Sequence, residues 1–234
     1  MKLFLAILLF LLATAGMFLF LFKEPVIDSS LGFPLVLIGI LSIIAFSWAG
    51  LFQRSIVVYA IFSIIIQTAY FVLDAGSAIM IGKSIWFAFL QALNFTIAGG
   101  LFMIVFALLY SSVRKNDLVD YAGLYEKNKF LVFVLSLSCL SLGGMAGFNI
   151  FVGEFLLYSF LFEIHPALAI SAIFAGLVCF LFYFRICYTL LVHKSDKTIH
   201  VPFILKLIAG VLGVLVVVLG AVPYILLEIL EAVI

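Results

Sequence analysis

Apolar residues run along this chain in long blocks, at 3–22, 32–52, 55–73, 85–112, 130–146, 149–165, 167–192 and 203–231. A helix needs about 20 apolar residues to cross a hydrocarbon core of about 30 Å, and several blocks reach that length with no charge inside. Backbone polar groups in hydrocarbon must be bonded within the protein, so spans are helices or a closed barrel. The blocks lack the period-2 alternation of barrel strands. The pattern predicts an all-α polytopic transmembrane bundle of about eight helices, one transmembrane domain over 1–234, with one helix discontinuous near Gly143–Glu154. Loops fall at Lys23-Glu24-Pro25 to Gly32, Gln53-Arg54, Asp74 to Lys83, Arg114 to Lys129 and His193 to Pro202. The 113–129 connection is too short to fold alone, although Asp117 to Tyr125 fits an amphipathic surface turn or short helix.

Composition sharpens the class. Of 234 residues, 68% are hydrophobic and 10% charged, against about 45–50% and about 25% in soluble domains. The chain therefore sits in the cell membrane as a multi-pass protein, with lipid and other membrane subunits as its surroundings. A formal charge of +1 gives no electrostatic footprint for nucleic acid. Cys139, Cys179 and Cys187 fall inside apolar blocks without metal or redox spacing and read as small hydrophobes. Met1-Lys2 and Ala13-Thr14-Ala15 fit a secretory signal, but the apolar run reaches Phe22, so it reads as a retained first helix. Lys2, Arg54, Arg114, Lys115, Lys127 and Lys129 fall on one side and Lys23, Lys83, Lys194 and Lys197 on the other. That excess places the 113–129 loop in the cytoplasm.

Function in a membrane protein is sought where polar or breakable elements sit at depth. Four glycines, Gly143, Gly144, Gly147 and Gly153, fall within eleven residues and lead to Glu154, flanked by apolar residues. Each glycine lowers helix propensity by about 1 kcal/mol, and a helix broken beside an acid exposes backbone groups and a titratable side chain together. A charged carboxylate at the bilayer centre costs at least about 2.5–3.5 kcal/mol. Glu154 is then either neutral or paired, and either state makes it a proton-binding candidate. The spacing fits a second reading equally: Gly143-x-x-x-Gly147 as a close helix contact, with Glu154 near a helix end in headgroup water. Gln67, Gln91, Asn94 and Thr96 are intramembrane polar groups that fit interhelical hydrogen bonds. Gln67 and Asn94 also fit a proton or ion path. Glu163 and His165 flank the turn before Pro166, as the mouth of such a path or as a solvated cap. Arg185 is close enough to a helix end to snorkel, and Lys206, Glu228 and Glu231 lie near helix termini. No phosphate-cradling loop, zinc spacing or Ser-His-Asp arrangement occurs. His165, His193 and His200 sit at helix ends or in loops, so the sequence implies no haem, no metal and no cofactor of its own.

The run Phe148-Asn149-Ile150-Phe151-Val152-Gly153-Glu154-Phe155-Leu156 resembles the Gly-x-Phe-Val-Gly-Glu-Phe signature of the antiporter-like membrane subunits. These are shared by respiratory complex I, Mrp-type cation/proton antiporters and membrane-bound energy-converting hydrogenases. Gln53-Arg54, Val58-Tyr59 and Gln67-Thr68-Ala69-Tyr70 look like that family's Lys-Arg, Ala-Tyr-Ser-Ser and His/Gln-x-Gly-Tyr/Phe stretch. Asn94 with Ala98-Gly99-Gly100-Leu101-Phe102 is similar to its His-bearing helix. Asp117-Leu118 with Ala122-Gly123-Leu124 is similar to its Asp-Leu…Gly-Leu loop, and Phe184-Arg185 to its Tyr-Tyr-x-Arg helix end. The match covers about 32–192, with the ends matching by hydropathy. The resemblance implies the second half of a fold built on two inverted five-helix repeats, each with a broken helix carrying a Lys or Glu on the proton path. Glu154 takes that position.

Departures accompany the match. Gln53 replaces the Lys before Arg, Asn94 a frequent His, Ala98 a second Lys and Met145-Ala146 the Pro before the signature. The first-repeat lysine has no counterpart, since no charge lies between Lys2 and Lys23. Half-length forms of this kind resemble subunits of energy-converting hydrogenase complexes in methanogenic archaea. The resemblance implies a non-catalytic subunit that moves protons or Na+ within an oxidoreductase complex whose redox chemistry lies in other chains. A non-conducting scaffold subunit and a stand-alone secondary transporter are the alternatives.

Overall fold

The computed structural model describes residues 2–22, 28–82, 88–192 and 202–233, with side chains for 5–21, 28–82, 88–192 and 202–228. Lys23, Glu24, Pro25, Lys83, His193, Lys194, Lys197 and His200 lie outside the described residues, as do the side chains of Lys2 and Glu231. The described chain is helical: α1 Lys2–Phe22, α2 Gly32–Leu51, α3 Ile56–Met80, α4 Phe89–Val113, α5 Lys129–Leu142, α6 Asn149–Ile164, α7 Pro166–Leu191, α8 Phe203–Ala221 and α9 Pro223–Val233. Five of these, α2, α3, α4, α7 and α8, are long and apolar enough to cross a membrane.

Two boundaries depart from the hydropathy reading. α3 runs to Met80 rather than stopping at 73, so Asp74 is not a loop residue but is buried inside the helix. Helix-forming Ala75 and Ala78 and apolar Ile79 and Met80 continue the pattern past the single acid, and tertiary burial overrides its polarity. The 203–231 block divides at Val222, because Pro223 supplies no N–H and disfavours helical backbone in the residue before it. Val222 accordingly sits at φ −122° and ψ 68°. The 117–125 stretch, expected as a surface turn or short helix, forms two short 3-10 turns, Leu118–Tyr121 and Leu124–Glu126.

Glycines set the closest helix crossing. A Cβ on Gly39 would stand 2.7 Å from Leu73 Cβ, and one on Gly76 2.8 Å from Leu35 Cβ and 3.0 Å from Gly32 O. With no side chains there, α2 and α3 meet backbone to backbone. α1 packs on α3 and on α4 through edge-to-face ring contacts, Phe20 with Phe71 and Phe10 with Phe95. Gly99 and Gly100 both face Phe10.

One surface gathers the turns between helices. The Ile56 amide donates to Asn116 O at 2.8 Å and the Leu118 amide to Arg54 O at 2.7 Å, tying the α2–α3 turn to the α4–α5 connection. The Gly123 amide donates to Thr189 O at 3.3 Å, bringing the end of α7 to the same surface. Tyr121 donates to Lys115 O at 2.6 Å. Burial pushes its phenol up to about 12, so it stays a donor. Arg185, one to two turns before the end of α7, is half-buried with its guanidinium 5.9 Å from the Tyr59 ring centre. Its Nη1 is buried without a partner, so the side chain packs inward instead of snorkelling.

Candidate functional site

α5 stops at Leu142 and α6 starts at Asn149. The two segments touch each other little and both pack along α7, so they lie end to end as halves of one interrupted helix. Gly144 (φ 72°) and Gly147 (φ 92°) take the left-handed backbone conformation, which costs other residues about 1–2 kcal/mol. Gly147 has open space where a Cβ would stand. Its reason is the turn, and the Gly143-x-x-x-Gly147 spacing is not a helix face. Gly143 alone of that pair packs tightly, with Phe180 Cα 3.2 Å from its Cβ position. α8 crosses the turn at Gly220, where a Cβ would overlap the Phe148 backbone.

A broken helix leaves carbonyls and amides without intrahelical partners, and buried amide side chains take them up. Gln67 Nε2 donates to Leu142 O at 2.9 Å, and Gln91 Nε2 donates to Gln67 Oε1 at 2.9 Å. The Cys179 thiol also points at Leu142 O, at 3.7 Å. Across the gap, Asn149 accepts from Ser141 Oγ at 2.7 Å and donates to Asn94 O and Oδ1 at 3.2 and 3.0 Å. Gly153 faces α4, with its Cβ position at ordinary contact distance from Gln91 Oε1 (3.6 Å) and Asn94 Nδ2 (3.9 Å). Asn94 Nδ2 has no partner of its own. Gln67, Gln91, Asn94, Ser141 and Asn149 are all buried, so the break is lined by a polar network drawn from α3, α4, α5 and α6.

Glu154 stands beside this network, 3% exposed. Its Oε2 accepts from the Tyr158 hydroxyl at 3.3 Å, and its Oε1 is buried without a partner. Gly144 passes so close that a Cβ there would overlap the carboxylate. The Tyr158 and Tyr70 hydroxyls both lie over Gly176, 2.6 and 3.3 Å from its Cβ position, and the Tyr70 hydroxyl has no hydrogen bond. The one ion pair among the described residues joins Lys115 and Asp120 at 3.0 Å, at the surface. A cavity of about 210 Å³ meets the carboxylate, lined by Gly143, Gly144, Tyr158, Gly176 and Phe180. Its rim carries exposed Ile173 and Leu177.

The other candidates divide. Gln67 and Asn94 belong to the network. Glu163 and His165 do not: both are exposed, about 14 Å farther along α6 by helix rise, and His165 Nδ1 caps α7 by accepting from the Ala167 amide at 3.1 Å. His165 thus caps a helix end, and Glu163 lies at the surface beside it, apart from the buried network. Gln91 bonds between helices, whereas Thr96 donates to Ala92 O of its own helix at 2.7 Å. Cys139, Cys179 and Cys187 are buried free thiols. Among the described residues no group of three or more His, Cys, Asp or Glu is placed to hold a metal. Sequence reasoning does not single out Ser141, Asn149, Tyr70, Tyr158 or Asp74. A signal existed for two of them: Asn149 opens the helix after the glycines, and Tyr158 falls one turn after Glu154.

A buried carboxylate against a glycine break, inside a bundle of apolar spans, defines a transmembrane protein of the antiporter-like class. Residues 2–181 match the family described as NADH:quinone oxidoreductase/Mrp antiporter, transmembrane. The chain belongs to that family and is a multi-pass protein of the cell membrane. It is 28% identical over 147 residues to NADH-quinone oxidoreductase subunit N of Bacillus anthracis, covering 61% of this chain and 28% of the relative. With subunit N of Cytophaga hutchinsonii it shares 26% over 208 residues, 87% of this chain and 45% of the relative. The chain thus spans less than half the length of these relatives. In fold it is similar to a chain of the Mrp complex from Dietzia sp., with TM-score 0.74 and 15% identity over 87% of this chain and 46% of that one. It is also similar to a chain of the membrane-bound sulfane sulfur reductase, an archaeal respiratory membrane complex, with TM-score 0.72 and 21% identity over 88% and 36%.

Proposed function

We propose that this chain is a proton-translocating membrane subunit of a multi-subunit, redox-linked complex, and that Glu154 is the group that binds and releases the proton. The observation that carries this reading is a carboxylate 3% exposed, with one oxygen unpartnered and no basic side chain bonded to it among the described residues. Ionised in that setting it would carry a cost of at least about 2.5–3.5 kcal/mol. The neutral acid avoids that cost, and ionisation becomes affordable only when water or a cation arrives. The adjoining cavity of about 210 Å³ has room for several waters at about 30 Å³ each in the liquid. Tyr158 donates to the ionised form and steadies it after proton release.

The network of Gln67, Gln91, Asn94 and Asn149 holds the two helix halves in place and offers polar contacts along the route. The redox step belongs to neighbouring subunits, with an energy-converting hydrogenase or a complex I-like enzyme as the setting. Charge and hydration changes at the subunit boundary would then drive Glu154. In this reading neighbouring subunits share the route, and Na+ is the competing ion. The test is Glu154→Gln in the assembled complex, reconstituted into vesicles. Gradient-coupled turnover falls to background while uncoupled redox activity with artificial acceptors persists. Coupling equal to wild type refutes the proposal and leaves a scaffold.

A further inference from the structure

Asp74 is a second buried carboxylate that the Glu154 reading leaves unused. It follows Gln67 by seven residues, nearly two full turns, so the two share one face of α3 about 10 Å apart along the axis. It is 4% exposed, and every residue from Leu73 to Ala78 is buried. The helix is therefore enclosed on all sides at this level. A side chain as short as Asp has no reach to the surface from there, because Met80, the last residue of α3, lies about 9 Å farther on. Its backbone carbonyl accepts from Ser77 Oγ at 2.8 Å. No hydrogen bond or ion pair reaches its carboxylate among the described residues.

The neighbours make its charge hard to explain structurally. α1, α2 and α4 pack on α3, and within them the sequence has no Lys, Arg, His, Asp or Glu apart from Lys2 at the far end of α1. From α6, Glu154 and the Tyr158 hydroxyl beside Tyr70 face α3, and the short turn Ser29–Leu31, which also packs on α3, carries only the exposed Asp28 at its start. Of the residues that follow it, Ala75, Gly76 and Ala78 offer no side-chain oxygen, and the one hydroxyl, Ser77 Oγ, is taken up in its bond to the Asp74 backbone carbonyl, whereas hard cations take about six or more oxygen ligands. Among the described residues the carboxyl has neither a cation nor a ligand set, which suits a proton.

Its position gives that proton somewhere to go. Gln67 lies near the middle of α3 and Asp74 halfway from there to the α3 C-terminus. Gln67 reaches Leu142 O, the last residue before the break, and Gly144 two residues later lies against the Glu154 carboxylate. We infer that Asp74 is a second proton-binding carboxyl, linking the polar break at mid-membrane to the surface at the α3 C-terminus. The inference rests on the conduction reading in that both acids serve one route. The exchange balances: the Asp74 acid gives up its proton through water, the Glu154 carboxylate accepts it, and the charges swap sites.

The experiment uses the intact complex in sodium-free vesicles, driven by its own redox substrates, with a pH-sensitive dye reporting proton movement. Asp74→Asn keeps the shape of the neutral acid, so the complex assembles but the dye response is lost. Asp74→Glu restores at least part of it. Three results overturn the inference: a wild-type dye response in assembled Asp74→Asn, a complex that assembles with Glu but not with Asn, or a wild-type complex that gives no dye response in sodium-free vesicles and moves Na+ once it is added. The middle result would make the ionised carboxylate structural. Glu154→Gln, run alongside, separates the two claims. A normal response there with loss in Asp74→Asn sinks the Glu154 reading and the exchange between the two acids while leaving Asp74 as a proton-binding group, and the opposite pair spares Glu154 and overturns Asp74.

Discussion

Gly144 and Gly147 share a left-handed backbone but differ in surroundings, and the difference is measurable. Alanine at Gly147 meets only backbone strain, about 1–2 kcal/mol, since nothing lies within 4 Å of its Cβ position. Alanine at Gly144 adds a collision with the Glu154 carboxylate and is expected to cost about 1–3 kcal/mol or more. Thermal unfolding of the solubilised complex checks the order: Gly144→Ala melts well below Gly147→Ala and also lowers coupling. Asn149→Ala strands Ser141 Oγ and Asn94 Oδ1 together and should destabilise by about 0.6–2 kcal/mol, the range of intramembrane hydrogen bonds. At this scale the sequence was partly legible. A glycine cluster before a lone acid marks a break, because glycine propensity and the cost of a buried charge are local properties. Asn149, Ser141 and the two tyrosines gain their roles only from neighbours far away in the chain, such as Asn94, 55 positions from Asn149. Asp74 was hidden by the rule that polar residues punctuate loops, which fails once packing encloses the acid.

Helix by helix, the crossing of α2 on α3 is built from absent side chains. Gly39→Leu and Gly76→Leu would each drive a branched side chain into backbone atoms at about 3 Å, an overpacking penalty of about 1–3 kcal/mol. Gly100→Ala makes the matching control, since its Cβ would meet only Phe10 at 3.8 Å. The yield of assembled complex should fall for the two leucine variants and stay at wild type for the control; equal yields would show the crossing to be adaptable. Hydropathy located these elements well because lipid imposes one simple requirement, an apolar run of sufficient length. It could not locate their ends where the cause is specific. Pro223 divides α8 from α9 through its missing N–H, and α3 outlasts its apolar block because α1, α2 and α4 cover it.

As a whole molecule the chain exposes large apolar side chains on α2, α7 and α8, among them Trp48, Phe174 and Leu215, which lipid or neighbouring subunits must cover. This exposure predicts that the chain purified alone is polydisperse in detergent and becomes monodisperse when co-purified with native neighbours. Size-exclusion chromatography with light scattering decides it. A well-behaved lone chain would favour a stand-alone transporter. The family was readable from Gly153-Glu154-Phe155 in its apolar setting, and the match over residues 2–181 agrees. What the resemblance could not convey is how the break is stitched together. The central claim is that Glu154 works by ionising, not by filling space, and conduction and scaffolding rank its substitutions oppositely. The deciding measurement is gradient-coupled turnover per assembled complex for Glu154→Asp and Glu154→Gln in the same vesicles. The conduction account predicts substantial coupling with Asp and background coupling with Gln. Coupling with Gln equal to or above that with Asp would contradict it.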